Sequence, residues 1–391
     1  MSRTRWWSAL AGCGFALCLV ACAPGESPRG GDGGLALDRA LGAQSGDEDF
    51  LKVTAAPDLR FPRDHGAHPE YRQEWWYFTG NLATAQGRRF GYQATIFRFA
   101  LGDDGSSTGG DEEPSAWRTE QLYMAHLAVS DIDGRTFAAA DRFARDALGL
   151  AGAQTEPLRV WVEDWSIAGA ADDAAFAVNL QFQDESMGID LSLVAERPIV
   201  RQGVDGYSRK GDDPTNASAY YSLTRLRSTG TVHAGGTRHE VTGTSWFDRE
   251  WGTSFLAPGV AGWDWFSLQL DDGRDLMFYR LRTAQGASTR WSAGTLAGYD
   301  EAGQWQVRRL QGDDVELTPR TRWRSANSGV EYPVSWTLRL PADDLALEVR
   351  AALEDQELNL ATRYWEGAVD VTGRQGEKTI SGRGYLELAG Y

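Results

Sequence analysis

Cysteine is missing from everything after residue 22. The chain's three cysteines (Cys13, Cys18 and Cys22) crowd into its first segment, so the folded part has no disulfide and no thiol chemistry. Net positive charge is missing too. A formal charge of -16 excludes nucleic acid as a partner, because phosphate backbones need a basic surface. The five histidines (65, 68, 126, 233 and 239) show no His-x-x-x-His spacing. His65-Gly66-Ala67-His68 lacks a third ligand, so neither a metal nor another cofactor is expected. Gly-Lys-Ser/Thr phosphate loops and strand-borne Gly-x-Gly-x-x-Gly are absent, and the Gly-x-Ser-x-Gly spacing occurs only at Gly105 to Gly109, inside a Gly/Ser/Asp-rich stretch without the apolar strand pattern that a nucleophile elbow follows. That argues against acyl-transfer, nucleotide and dinucleotide chemistry.

Long apolar runs are scarce as well. The one at Trp6 to Ala21 follows Arg3 and Arg5 and is shorter than the roughly 20 residues of a membrane span. It ends in Leu19-Val20-Ala21-Cys22, which resembles the lipobox of bacterial lipoproteins. The resemblance implies a signal peptide over 1–21 and a lipid on Cys22, anchoring the chain in the cell envelope. Ala23 lacks the aspartate that retains some lipoproteins at the inner membrane, which favours the outer membrane or periplasmic side. Residues 22–48 are rich in Gly, Pro, Ser and Asp without aromatics and read as a flexible tether.

Tryptophan is what the chain has in abundance, sixteen in 391 residues. Such bulky side chains line cores, interfaces and apolar pockets. Glu74-Trp75-Trp76-Tyr77-Phe78-Thr79-Gly80-Asn81-Leu82 has an echo at Gly262-Trp263-Asp264-Trp265-Phe266-Ser267-Leu268-Gln269-Leu270. Each run meets a Gly-Arg turn signal (Gly87-Arg88, Gly273-Arg274) and a second strand pattern. Self-similarity at such a separation suggests two copies of one β-rich unit. Period-two alternation dominates elsewhere, as in Phe176, Val178, Leu180 and Phe182, or Trp336, Leu338 and Leu340. Only Asp141 to Leu150 reads as helical, with Phe143, Ala147 and Leu148 on one face. The expectation is an all-β chain, a sandwich or closed barrels, with units at 49–250 and 251–391. Gly102 to Ser115 and Gly203 to Ala219 read as loops, the second carrying Tyr207, Arg209 and Lys210.

Three segments carry candidate chemistry: Glu74 to Tyr77, Ser245-Trp246-Phe247-Asp248-Arg249-Glu250-Trp251-Gly252, and Gly262 to Phe266. If the second is extended, Trp246, Asp248 and Glu250 face one side, with Phe247, Arg249 and Trp251 on the other. A carboxyl walled by indole rings is desolvated, its pKa rises, and it becomes a general acid. The competing reading pairs Asp248 or Glu250 with Arg249 at a seam between domains. Tyr123, His126 and the pair Tyr220-Tyr221 are further candidates, although a lone strand histidine is more often a satisfied core group.

Together these motifs resemble the AttH-like and carotenoid hydratase (CrtC-like) family. Glu74 to Leu82, Thr244 to Gly252, Gly262 to Phe266, the strand Asp275 to Arg282 and the terminal Gly382 to Tyr391 carry the resemblance. It implies two lipocalin-like antiparallel β-barrel domains in tandem. The hydratases of this family have an Asp-His-x-Trp-Gly motif. Asp248 and Trp251 match it and Arg249 replaces the histidine. Tyr279 matches a tyrosine on the strand after the second tryptophan motif, where Arg280 and Arg282 flank it in place of an acid.

Three functions stay open. The first is binding of a hydrophobic small molecule or lipid. Its contacts would come from Glu74, Trp75, Trp76, Tyr77, Tyr123, His126, Tyr207, Tyr221, Trp246, Arg249, Trp251, Trp263, Asp264 and Trp265. The second is a hydratase, lyase or isomerase using Asp248 or Glu250 as acid with Tyr279. The third is an accessory lipoprotein docking an export system.

Overall fold

The computed structural model describes residues 47–101, 120–170 and 176–391. The signal peptide, Cys22, the tether up to residue 46 and the loop Gly102 to Ser115 lie outside the described residues.

Twenty-five strands run through the described residues, in two large sheets and one small one. The first sheet opens with β1 (Gln73–Ala83), β2 (Arg89–Ala100), β3 (Gln121–Asp131) and β4 (Thr136–Arg145). Short strands follow: β5 (Ala151–Gln154), β6 (Arg159–Val162), β7 (Trp165–Gly169), β8 (Ala177–Gln183) and β9 (Met187–Ala195). It ends with β10 (Val200–Arg201), β11 (Tyr207–Arg209), β12 (Ala217–Ala234) and β13 (Thr237–Ser254). The second sheet begins with β14 (Val260–Leu270), β15 (Asp275–Thr283), β16 (Ala293–Tyr299), β17 (Trp305–Gln311) and β18 (Glu316–Pro319). A separate ribbon pairs β19 (Arg322–Arg324) with β20 (Glu331–Pro333). The second sheet closes with β21 (Ser335–Leu340), β22 (Leu345–Ala351), β23 (Glu357–Asn359), β24 (Arg363–Gln375) and β25 (Lys378–Ala389).

Strand order makes the repeat explicit. It runs β4-β3-β2-β1-β13-β12-β9-β8-β7-β6-β5 in the first sheet and β17-β16-β15-β14-β25-β24-β22-β21-β18 in the second. Each is a four-stranded meander whose first strand is then flanked by the last strand of its unit. The echo between Glu74–Leu82 and Gly262–Leu270 is therefore the same central strand in each copy. The first sheet nearly closes, because its end strands β4 and β5 touch, while the second stays a half-barrel.

Alternation explains the strands. Val178, Leu180 and Phe182 of β8 are buried while Gln181 and Gln183 are exposed, the period-two signature of a sheet with one apolar face. Inside the first barrel, Trp76, Phe78, Phe90, Tyr92, Trp165 and Phe247 fill the lumen. Phe266, Trp336, Trp365 and Leu386 do so in the second. The hairpin between β12 and β13 turns on Gly235 and Gly236, both at positive φ, as a two-residue turn matching strand twist requires.

One expectation fails. Asp141 to Leu150 is not helical: residues through Arg145 belong to β4, whose Asp141 lies opposite His126 of β3. A 3-10 turn at Ala147–Gly149 follows. Phe143 and Leu148 are exposed and Ala147 is buried, so the three never share a face, and Leu148 sits at φ 57, outside any right-handed helix.

The barrels meet through their outer faces. Asn81 donates to the Gly384 carbonyl at 3.1 Å, Ser130 to Gln356 Oε1 at 2.7 Å, and Arg225 pairs with Asp275 at 2.7 Å. At Gly91 a Cβ would lie 2.7 Å from the Tyr385 hydroxyl and 2.8 Å from the Ala368 Cβ. Gly91→Ala is therefore expected to wedge this contact and lower stability by about 1–3 kcal/mol. A urea titration monitored by tryptophan fluorescence checks it, and an unchanged midpoint would show that the seam yields freely.

Candidate active site

The seam encloses an apolar cavity. β13 places it: Trp246, Asp248 and Glu250 turn outward from the first barrel, while Phe247, Arg249 and Trp251 turn into it. β1 runs antiparallel beside it, with Trp75 opposite Glu250 and Tyr77 opposite Asp248, so these rings share the outward face. The second barrel supplies the other wall with Trp263, Trp265, Tyr279, Tyr364, Glu366 and Glu387. The atom-free space, mouth included, is about 870 Å³. It is a slot for a slender or flat group.

Asp248 is buried and its partners are neutral. Ser222 donates to Oδ1 at 2.5 Å, Trp246 Nε1 to Oδ1 at 2.7 Å, and the Tyr220 hydroxyl to Oδ2. Trp265 Nε1 reaches the Tyr220 hydroxyl at 3.3 Å. Burial outweighs these hydrogen bonds and pushes Asp248 up to about 7. Glu250, two residues on, has a cation: the Lys210 ammonium and the Ser218 hydroxyl both bond its Oε1. Desolvation holds the Lys210 amine below its ordinary range, against the pull of Glu250. Ser208 lies 3.1 Å from the Tyr279 hydroxyl and 3.3 Å from Lys210 Nζ, linking both barrels. His126, buried on β3, is 2.8 Å from the Tyr364 hydroxyl through Nδ1, and burial lowers it to about 4, so it is neutral at physiological pH.

Of the residues singled out from sequence, Asp248, Glu250, Tyr279, Trp75, Tyr77, His126, Trp263 and Trp265 line the cavity, with Trp246 behind Asp248. The others lie elsewhere. Glu74 and Arg249 point into the first barrel, where Glu74 pairs with both Arg249 and Arg98. Arg249 is thus turned away from Asp248 and Glu250, because neighbouring residues of a strand face opposite sides. Trp76, Tyr123, Tyr221 and Trp251 belong to the first core. Tyr221 is 2.6 Å from His65, and Trp251 stacks on His68 at 3.8 Å. Asp264 is buried on the inward side of β14 with Arg280, Arg282 and Tyr391. Tyr207 bonds the Pro214 carbonyl on the outside at 2.6 Å.

Sequence reasoning left Lys210, Glu366 and Glu387 out of the site and assigned Tyr221 to it, whereas Tyr220 lines the cavity and Tyr221 belongs to the first core. Strand parity was the available signal: Tyr220 shares a face with Ser222, and Glu366 alternates with the core residue Trp365. Among the described residues no three His, Cys, Asp or Glu side chains are grouped to hold a metal ion, and no helix is long and apolar enough to cross a membrane.

A nearly closed antiparallel barrel and a half-barrel of matching strand order, with an acid-lined apolar slot between their outer faces, define a tandem lipocalin-like protein. The chain belongs to the AttH-like family, which it matches over residues 52–391. An AttH protein of known structure from Nitrosomonas europaea is 34% identical, covering 88% of this chain and 100% of its own, with a TM-score of 0.74. Kievitone hydratase of Fusarium solani subsp. phaseoli is 23% identical over 248 residues, 62% of this chain and 68% of that protein. The crystal structure of kievitone hydratase from Nectria haematococca shares the fold, with a TM-score of 0.65 at 16% identity over 87% of this chain and 95% of that one.

Proposed function

We propose that the seam is the active site of a hydratase-type enzyme, adding water to, or removing it from, a carbon–carbon double bond of an apolar substrate. Asp248 carries the reading. A carboxylic acid raised to about 7, without a cationic partner among the described residues and open to an apolar slot, keeps its proton near neutral pH and is matched to general-acid work. The kinship with kievitone hydratase supports the same reaction class.

In this mechanism the alkene π pair takes the Asp248 proton. The carboxylate left behind is stabilised by Ser222, Trp246 and Tyr220. Trp75, Tyr77 and Trp265 line the slot, and their rings stabilise the carbocation as aromatic rings stabilise other cations. Water then bonds to the cationic carbon and gives up a proton. In the same proposal, lipidation of Cys22 holds the enzyme at an envelope membrane, where apolar substrates are concentrated.

The test is incubation in oxygen-18 water with a panel of branched alkenes, followed by mass analysis. Label is expected in an alcohol product. The rate is expected to fall as pH rises through about 7, since only protonated Asp248 donates. Tight uptake of an apolar molecule without labelled product would leave a binding protein, and specific recovery of a transporter from membranes would favour an export accessory.

A further inference from the structure

Water that bonds to the carbocation must lose a proton, and the second barrel supplies a group to take it. Glu366 of β24 and Glu387 of β25 are Cα partners in the antiparallel ladder, so their side chains share a face with Cβ atoms about 4.5–5.5 Å apart. Glu366 is buried, Glu387 half-buried, and both line the cavity. Like charges placed so destabilise a sheet. Neutral groups donate to both: the Tyr77 hydroxyl to Glu366 Oε1, and Trp263 Nε1 to Glu387 Oε1 at 3.1 Å. Among the described residues, Oε2 of Glu366 and Nε2 of His126 are buried without a partner, and both side chains line this slot. Unpartnered polar atoms in a cavity wall cost free energy unless something polar visits them.

We infer that Glu366 and Glu387 act as one proton-sharing pair, which binds the reacting water and receives its proton across the slot from Asp248. The inference rests on the hydratase reading. Two adjacent carboxylates lacking a cation do not both ionise, so a single shared proton relieves the repulsion. Burial and the Glu387 charge push Glu366 well up, so the shared proton rests there, and burial raises the Glu387 carboxyl as well. The electron count closes. The alkene forms a C–H bond as the Asp248 O–H bond breaks, and a water lone pair forms the C–O bond. The surplus proton passes from water to the singly protonated pair. A proton then returns through water to Asp248, restoring both groups. Hydrogen and hydroxyl arrive from opposite walls, the first from β13 and the second from β24 and β25.

Two measurements on the intact protein test this. With glutamate carboxyls labelled with carbon-13, NMR titration of the substrate-free protein is expected to show the Glu366 signal protonated at neutral pH. Glu387→Gln should move its midpoint down by a pH unit or more. A midpoint unmoved by Glu387→Gln overturns the pairing. In the second, 2-methyl-2-pentene, whose protonation gives a tertiary cation, is incubated in deuterated oxygen-18 water. Glu366→Gln and Glu387→Gln are each expected to lower oxygen-18 incorporation about a hundredfold while deuterium exchange into recovered alkene persists. Asp248→Asn should lose both labels, and Glu387→Asp, which keeps a carboxyl, should recover part of the oxygen-18. Wild-type oxygen-18 incorporation in both glutamine variants overturns the base role. An intact protein inert towards the probe overturns the hydratase reading and the base role with it, while the titration still decides the pairing.

Discussion

Asp248→Asn is expected to lower kcat by about 100- to 10,000-fold, the usual contribution of a positioned general acid, while the protein stays folded. The amide keeps an oxygen for Ser222 and Trp246, which approach Oδ1 at 2.5 and 2.7 Å. The Tyr220 hydroxyl need only rotate to accept from the new amide. Stability separates this role from a structural one. Burial raises Asp248 in the folded state to about 7, so between the ordinary carboxylate range and that value the folded chain binds a proton that the unfolded chain has lost. Its contribution is complete in acid and is lost as pH rises through about 7. The variant lacks that loss and should melt at or above wild type at pH 8. Thermal melts at pH 5 and pH 8 beside product assays check both halves. A lower melting temperature with unchanged turnover would make Asp248 a structural group.

Glu74→Ala is expected to have the opposite profile, a loss of about 3–5 kcal/mol in stability. Glu74 is wholly buried and pairs with Arg98 and Arg249, themselves at 1% and 0% exposure. Removing it strands two guanidinium groups inside the first barrel. Burial alone would raise the Glu74 carboxyl, but Arg249 and Arg98 outweigh it and hold Glu74 well below the usual range. Its contribution is therefore present above the unfolded carboxylate pKa and lost as pH falls towards the depressed folded value. Urea unfolding at pH 7 and pH 4 should show the gap between variant and wild type shrinking in acid. A change under about 1 kcal/mol at pH 7 would mean that water reaches the two arginines.

These two carboxylates show how far the sequence reaches. Alternation along Ser245 to Gly252 is enough to set Asp248 on one face and Arg249 on the other, and β13 obeys it. The echo of the first tryptophan motif in the second is enough to announce a repeat, and the matching strand orders are that repeat. A strand's pattern does not say which of two covered faces holds the cavity, because both faces of β1 are apolar and covered. Trp75 and Trp76 therefore read alike, although only Trp75 meets the slot. Glu74 and Asp248 read alike for the same reason, and only pairing across β1, β2, β12 and β13 gives arginines to one and hydroxyls to the other. Lys210 reaches Glu250 because β11 lies against β12, a contact between segments that carry no shared pattern. Glu366 and Glu387 were more accessible: Gln375 pairs with Lys378, so the two-residue turn at Gly376-Glu377 sets every later pair of that hairpin.

Placing the slot on the outer faces of filled barrels has a consequence for how such a protein can diverge. Along β1, β13, β14 and β15, alternate residues (Trp75 and Tyr77, Asp248 and Glu250, Trp263 and Trp265, Tyr279 and Leu281) meet the slot while residues between them hold a core together. Inherited changes in one set leave the other nearly untouched. Descendants of such a duplicated scaffold are free to exchange substrates by repainting a single face, with both cores conserved as the record of their common origin.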